Sequence, residues 1–194
     1  MREMMKLVLS VLVFSALSGG LLAALNTGLR EQIAYQELKF VKGPTILQIM
    51  EGSDNDPLGD RFTLKDGELE REFFVGTFDG KRQAIAFETF GRGYGGEIGV
   101  IAAYDTENDH LLGVGVTTHS ETPGLGARAK TDPSFARQFK GLGLDTVFRV
   151  KPDGGDIDAL SGATVTARGV CAAVAEAKEI YIRLKDEIIK QLQS

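Results

Sequence analysis

The residues able to do chemistry gather in one short stretch, Ser161–Gly169, which reads SGATVTARG. Three hydroxyls, on Ser161, Thr164 and Thr166, stand among small residues just where a helical pattern opens. A helix start needs only one hydroxyl to cap it, and Ser161 or Thr164 can serve. Gly162 and Ala163 leave room for a bulky group to approach the backbone. The free N–H groups and positive dipole end of a helix start favour a phosphate there. A hydroxyl held in that field can bind the phosphate by hydrogen bond or become esterified to it. From the residues alone, this is an anion site.

Two further stretches compete for a role. His119–Ala129 reads HSETPGLGARA: Pro123 fixes φ, and Gly124 and Gly126 permit positive φ or the close approach of another group. It is either a tight loop closing a strand near His119 or a loop whose amides and Leu125 meet a flat ligand. His119 by itself reads as a solvated strand-end residue. Gly91–Gly96, GRGYGG, satisfies G-x-G-x-x-G literally. A dinucleotide fingerprint needs a helix after it, and the strand-like EIGVIAAYD follows instead, so a glycine-rich bend between antiparallel strands is expected. Cys171, beside an apolar helix stripe, reads as a small buried hydrophobe.

Positioning these loops requires a scaffold, and the pattern supplies one. Glu72–Phe78 and Gln83–Phe90 alternate in polarity and join across Asp79-Gly80, a hairpin signal. A second pair, Glu97–Asp105 and Leu111–His119, is separated by a polar turn, and Thr146–Val150 predicts a further strand. Residues 52–60, GSDNDPLGD, read as a loop. From Val165 to the end the chain is helical, with Val170, Val174, Ala177, Tyr181, Leu184 and Ile188 forming one apolar stripe. The fold class is α+β: antiparallel hairpins packed against helices, with a long C-terminal helix. There is no internal repeat.

Composition sets the boundaries. The chain has 194 residues, 43% hydrophobic and 25% charged, with a net charge of −5. No dense basic run offers a nucleic-acid surface. One cysteine and two histidines leave no thiolate cluster or His-rich metal site. Leu7–Leu25 carries no charge and is long enough to cross a hydrocarbon core as a helix. Arg2 and Lys6 precede it, which places the N-terminus in the cytoplasm and everything past Leu25 outside. A cleavable leader is the competing reading, and both export the domain. The expected organisation is a cytoplasmic segment at 1–6, a transmembrane helix at 7–25, a connecting helix at 26–50, and an exported domain at 51–194. Within the connector, Gly28–Gly43 reads as helical, with Leu29, Ile33, Gln36 and Phe40 on one side.

The segment from Asp158 to Thr166, D-x-x-S-G-A-T-x-T, resembles the flavinylation motif of the FMN-binding domain family. Glu121–Gly126 matches that family's Glu-Thr-Pro-Gly-Leu-Gly loop in full. With one N-terminal span and a compact exported domain, the chain is similar to the G-subunit group of the Rnf electron-transport complexes. It is also similar to the related C-subunit group of the sodium-pumping NADH:quinone oxidoreductases, whose members tend to be longer. The resemblance implies an electron-relay flavoprotein with FMN joined by a phosphoester to Thr166. It implies that Ser161, Gly162, Ala163 and Thr164 surround the phosphate. Asp158 would help an external flavin transferase recognise the segment, or simply form a turn. Glu121, Thr122, Pro123, Gly124, Leu125 and Gly126 would lie against the flavin ring. Implied partners are the membrane and redox subunits of the complex, the transferase and membrane lipid. A flavin-free anchored assembly module is the rival from another class, and a free-standing anchored FMN reductase lacks a nicotinamide site.

Overall fold

The structure, a computed structural model, describes residues 1–193. They divide into two compact units, Met1–Phe40 and the chain from Val41 onward. The first unit is helix α1, Arg2–Glu37, whose side chains are exposed on all sides, Leu9, Leu12 and Phe14 among them. At 1.5 Å per residue it is roughly 54 Å long, more than a bilayer's hydrocarbon core. It is the one helix long and apolar enough to cross a membrane among the described residues. The helical pattern expected from Gly28 is continuous with the apolar span, because no proline or capping residue interrupts it.

A π-helical turn, Leu38–Lys42, leads to helix α2, Gly43–Ile49. Five strands follow: β1 (Arg61–Asp66), β2 (Leu69–Phe78), β3 (Lys81–Arg92), β4 (Glu97–Asp105) and β5 (His110–Val116). They pair antiparallel in chain order, a five-stranded meander. Asp79 and Gly80 both take positive φ, 52° and 72°, in the two-residue turn between β2 and β3. That matches the hairpin read from the dipeptide. Strand β1 has only a short alternation, Phe62 and Leu64 between polar residues, and Asp66 at its end is held by Arg71 and Arg183.

Two short helices, α3 (Arg128–Thr131) and α4 (Pro133–Arg137), follow β5. Helix α5, Thr164–Leu192, lies across one face of the sheet. All six residues of its predicted stripe are buried. They meet Phe73, Ile85, Phe87 and Tyr104 in one apolar cluster, each fully buried large side chain stabilising by about 1.5–3 kcal/mol. A ladder of rings, Phe73–Phe87–Tyr104–Tyr181, runs through it with centroid spacings of 4.9, 6.2 and 4.6 Å. Helix α2 covers the opposite face. Ile46 is 0% exposed, Met50 Sδ lies 3.2 Å from the space a Cβ at Gly76 would take, and Ile49 sits over Gly113. With both faces covered, β4 is buried from Ile98 to Asp105. Residues 41–50, read from sequence with the connector, therefore belong to the second unit's packing.

The strand expected at Thr146–Val150 does not form. Only Val150 makes a bridge, to Ile157, and Pro152 turns the chain into the short 3-10 segment Lys151–Asp153. On the outer side of β5, Gly141 and Leu142 bond Leu111 instead. Strand β5 likewise ends at Val116 and not at His119.

Candidate functional site

The start of α5 is pinned against the end of β3. A Cβ on Gly169 would stand 2.7 Å from the Arg92 carbonyl oxygen and 3.1 Å from the Gly93 nitrogen. One turn further on, the buried Thr89 hydroxyl donates to the Ala173 carbonyl at 2.9 Å. Side chains on either element would hold them apart. Their closeness brings the first turn of α5 beside the bend that follows β3.

Before the helix, Ala163 N–H donates to Leu160 O at 2.9 Å, with Gly162 at φ +77° inside the turn. Ala163 is the N-cap residue and no side chain caps the helix. The expectation that Ser161 or Thr164 would cap is thus not met, since the chain enters one residue beyond Gly162 and puts a methyl at the cap position. The amides of Thr164, Val165 and Thr166 bond no other protein group among the described residues.

Thr166, in that first turn, is 1% exposed, and its hydroxyl donates to Glu121 Oε2. Glu121 is itself 6% exposed, and its Oε1 accepts the Gly95 N–H at 2.7 Å. Gly93 N–H closes the bend onto Gly96 O at 2.7 Å, so GRGYGG is a bend between strands as its context predicted. After Glu121 the loop turns through Pro123 and Gly124, whose φ of +74° an L side chain rarely adopts, and Leu125 N–H reaches back to Thr122 O. Gly126 then passes so close that a Cβ there would lie 2.7 Å from Thr166 Oγ1.

A cavity of about 580 Å³ opens at this junction, within the range of small-molecule sites. Of the residues singled out in sequence, Thr166, Glu121, Thr122, Leu125, Gly126, Gly162, Ala163 and Thr164 line it. Four do not. Pro123 and Gly124 shape the loop, Ser161 faces solvent, and Asp158 pairs with Lys151 at 2.8 Å while its N–H donates to Gln138. Glu121, on the cavity wall, also turns its carboxylate to the threonine. Sequence reasoning missed Tyr94 and Val165. Tyr94, 80% exposed at the cavity rim, carried a signal: a lone aromatic set among four glycines. No Lys or Arg lines the cavity. Cys171 lies on α5 at 2% exposure, and burial pushes its thiol up to about 12, so it stays protonated and unreactive.

This antiparallel sheet backed by a long helix, with a hydroxyl-bearing helix start facing a glycine-rich loop, falls in a chain that matches an FMN-binding domain. The family model of that description matches residues 93–179, from the glycine bend into α5. The chain belongs to the G-subunit family of ion-translocating oxidoreductase complexes. The G subunit of the Cereibacter sphaeroides complex is 32% identical over 188 residues, covering 93% of this chain and 85% of the relative. That of Vibrio cholerae is 35% identical over 192 residues, covering 92% and 90%. The Stutzerimonas stutzeri G subunit is 39% identical over 136 residues, and this match spans 67% of the chain but only 59% of the relative. Among solved structures, the C subunit of the Na⁺-translocating NADH-quinone reductase from Parabacteroides distasonis is 27% identical with a TM-score of 0.50, covering 64% of each chain.

Proposed function

We propose that this chain is a membrane-anchored flavoprotein that relays electrons inside an ion-translocating ferredoxin:NAD⁺ oxidoreductase complex, with FMN held as a phosphoester on Thr166. The observation that carries this reading is the Thr166 hydroxyl, set in the first turn of α5 on the wall of a cavity whose helix amides are unpaired. The donor set fits a flavin mononucleotide. Amides and the Thr164 hydroxyl suit a phosphate, and Tyr94, Leu125 and Val165 offer apolar surface for a planar ring. The lining has no cation and one carboxylate. A phosphate held by charge alone would be weakly retained there, which favours a covalent link.

FMN, when bound, supplies the one- and two-electron chemistry. The chain's residues hold it, orient it and keep it from being lost outside the membrane. Arg2 and Lys6 before the apolar span set the N-terminus in the cytoplasm and the domain on the exported side, with lipid around α1. A flavin transferase loads the domain, and other subunits handle ferredoxin, NAD⁺ and the ion. The likeness to the Parabacteroides structure favours a second reading, as part of a sodium-pumping quinone reductase. The near full-length match to the G-subunit relatives outweighs it.

The test is Thr166→Ala in the assembled complex. Electron transfer from ferredoxin to NAD⁺ should be abolished while the variant still copurifies with its partners. Unchanged electron transfer would favour the flavin-free assembly module.

A further inference from the structure

A carboxylate buried without a cation is costly and calls for a reason. Glu121 has no ion pair among the described residues, and its two oxygens are taken by the Gly95 amide and the Thr166 hydroxyl. Room is cleared for it from two sides. A Cβ at Gly126 would stand 2.6 Å from Glu121 Oε2, and one at Gly93 would overlap Oε1. Helix capping does not account for the placement. A capping carboxylate would accept from the free amides of the first turn, whereas Glu121 bonds none of them and accepts instead from the buried hydroxyl of Thr166.

We infer that Glu121 is the general base for attachment of flavin to Thr166, which rests on the covalent reading above. FMN itself would have to expel water to esterify a hydroxyl, so the donor is a flavin whose phosphate is activated as a phosphoanhydride. Thr166 Oγ1 attacks that phosphorus. The Oγ1–P bond forms, the anhydride P–O bond breaks, and the second phosphate leaves with the bonding pair. The hydroxyl proton passes to Glu121 Oε2, and no redox change occurs. Once protonated, Glu121 no longer repels the phosphate arriving beside it. The same placement explains the choice of residue. Thr164 offers a hydroxyl to the same cavity with no carboxylate on it, so attachment is confined to Thr166.

Glu121→Gln is the informative variant. Its amide oxygen can keep the Gly95 bond, which turns the NH₂ toward Thr166 Oγ1 and replaces an acceptor of the proton with a donor. The full chain in detergent would be treated with FAD and a flavin transferase, and covalent flavin followed by in-gel fluorescence and intact mass. The expected result is a fall in kcat for loading of about 10²-fold or more, the usual worth of a general base, with KM and Tm unchanged. Glu121→Asp should load faster than Glu121→Gln. Loading of Glu121→Gln within threefold of wild type would overturn the inference. So would a loss carried by KM and Tm, or equal losses in the Asp and Gln variants, since these mark a loop-shaping role. Failure of the wild-type chain itself to load, with the transferase active on another acceptor, would instead remove the covalent reading beneath it.

Discussion

Gly126 stands where the loop meets the helix start, and the space of one methyl group separates a working site from a blocked one. Its φ is not in the left-handed region, so alanine is compatible with the backbone there. The added Cβ would nonetheless press on both Thr166 Oγ1 and Glu121 Oε2, at 2.7 and 2.6 Å. Gly126→Ala should therefore leave the fold standing but separate hydroxyl from carboxylate. Loading of flavin should drop by up to about 10²-fold, the scale of a misplacement near 1 Å, as measured by in-gel fluorescence of the denatured chain. Wild-type loading in this variant would show that the contact is not needed. Neither member of the pair betrays the contact in sequence. Thr166 and Glu121 are 45 residues apart, and each lies in a stretch with an adequate local explanation, a helix start and a turn. Residue types and spacing made both segments legible as candidates. That the glutamate faces the threonine depends on how the loop folds across the helix, which no local pattern encodes.

At the scale of elements, the contact between α5 and β3 sets where the threonine lies. Gly169→Ala places two effects in opposition. Alanine is favoured over glycine in a helix interior by about 1 kcal/mol, but its Cβ would lie 2.7 Å from the backbone oxygen of Arg92. Backbone yields poorly, and overpacking of this kind costs about 1–3 kcal/mol. The clash wins, so Tm should fall, and flavin loading should fall with it as α5 moves off the bend. A Tm at or above wild type would contradict the close packing. Farther along, Asp66 is held within the β1–β2 hairpin by Arg71 at 2.7 Å and ties that hairpin to α5 through Arg183 at 2.8 Å. The Arg71 hydrogen bond, with Arg183 beside it, holds the Asp66 carboxyl below the usual carboxylate range. A carboxylate with a depressed folded value stabilises above its unfolded pKa, and that contribution is lost as pH falls through the folded value. Asp66→Asn should then lower Tm at pH 7, with the gap narrowing only below about pH 4. A gap that stays constant into strong acid would exclude the ionic origin. The apolar stripe of α5 was readable because its spacing of three and four belongs to a helix alone. Strand β1 was not, because its alternation rests on Phe62 and Leu64 alone, while Arg61, Lys65 and Asp66 are placed by partners on β2 and α5.

Over the whole molecule, helix α1, uncharged from Leu7 to Leu25 and long enough to cross a membrane, and the domain from Val41 onward are separate compact units. The second unit includes α2, because Ile46 and Met50 fill the far face of the sheet. A chain beginning at Val41 should be soluble without detergent and unfold cooperatively. One beginning at Gly52 loses both side chains, at about 2–5 kcal/mol each, and should unfold at a much lower temperature or fail to accumulate. Equal Tm values for the two would show that α2 is not part of the core. This second layer was the least legible feature of the fold. A seven-residue helix directly after a long one reads as its continuation, and only the unbroken burial of β4 reveals that both faces need cover.

The central claim is that flavin is carried covalently by Thr166, and peptide mapping tests it most directly. Trypsin should release Val150–Arg168 as one peptide, since Pro152 protects the bond after Lys151. In protein coexpressed with a flavin transferase, that peptide should be fluorescent and heavier by FMN less water, with fragmentation placing the addition on Thr166. An unmodified Val150–Arg168 peptide, or flavin on another residue, would contradict it.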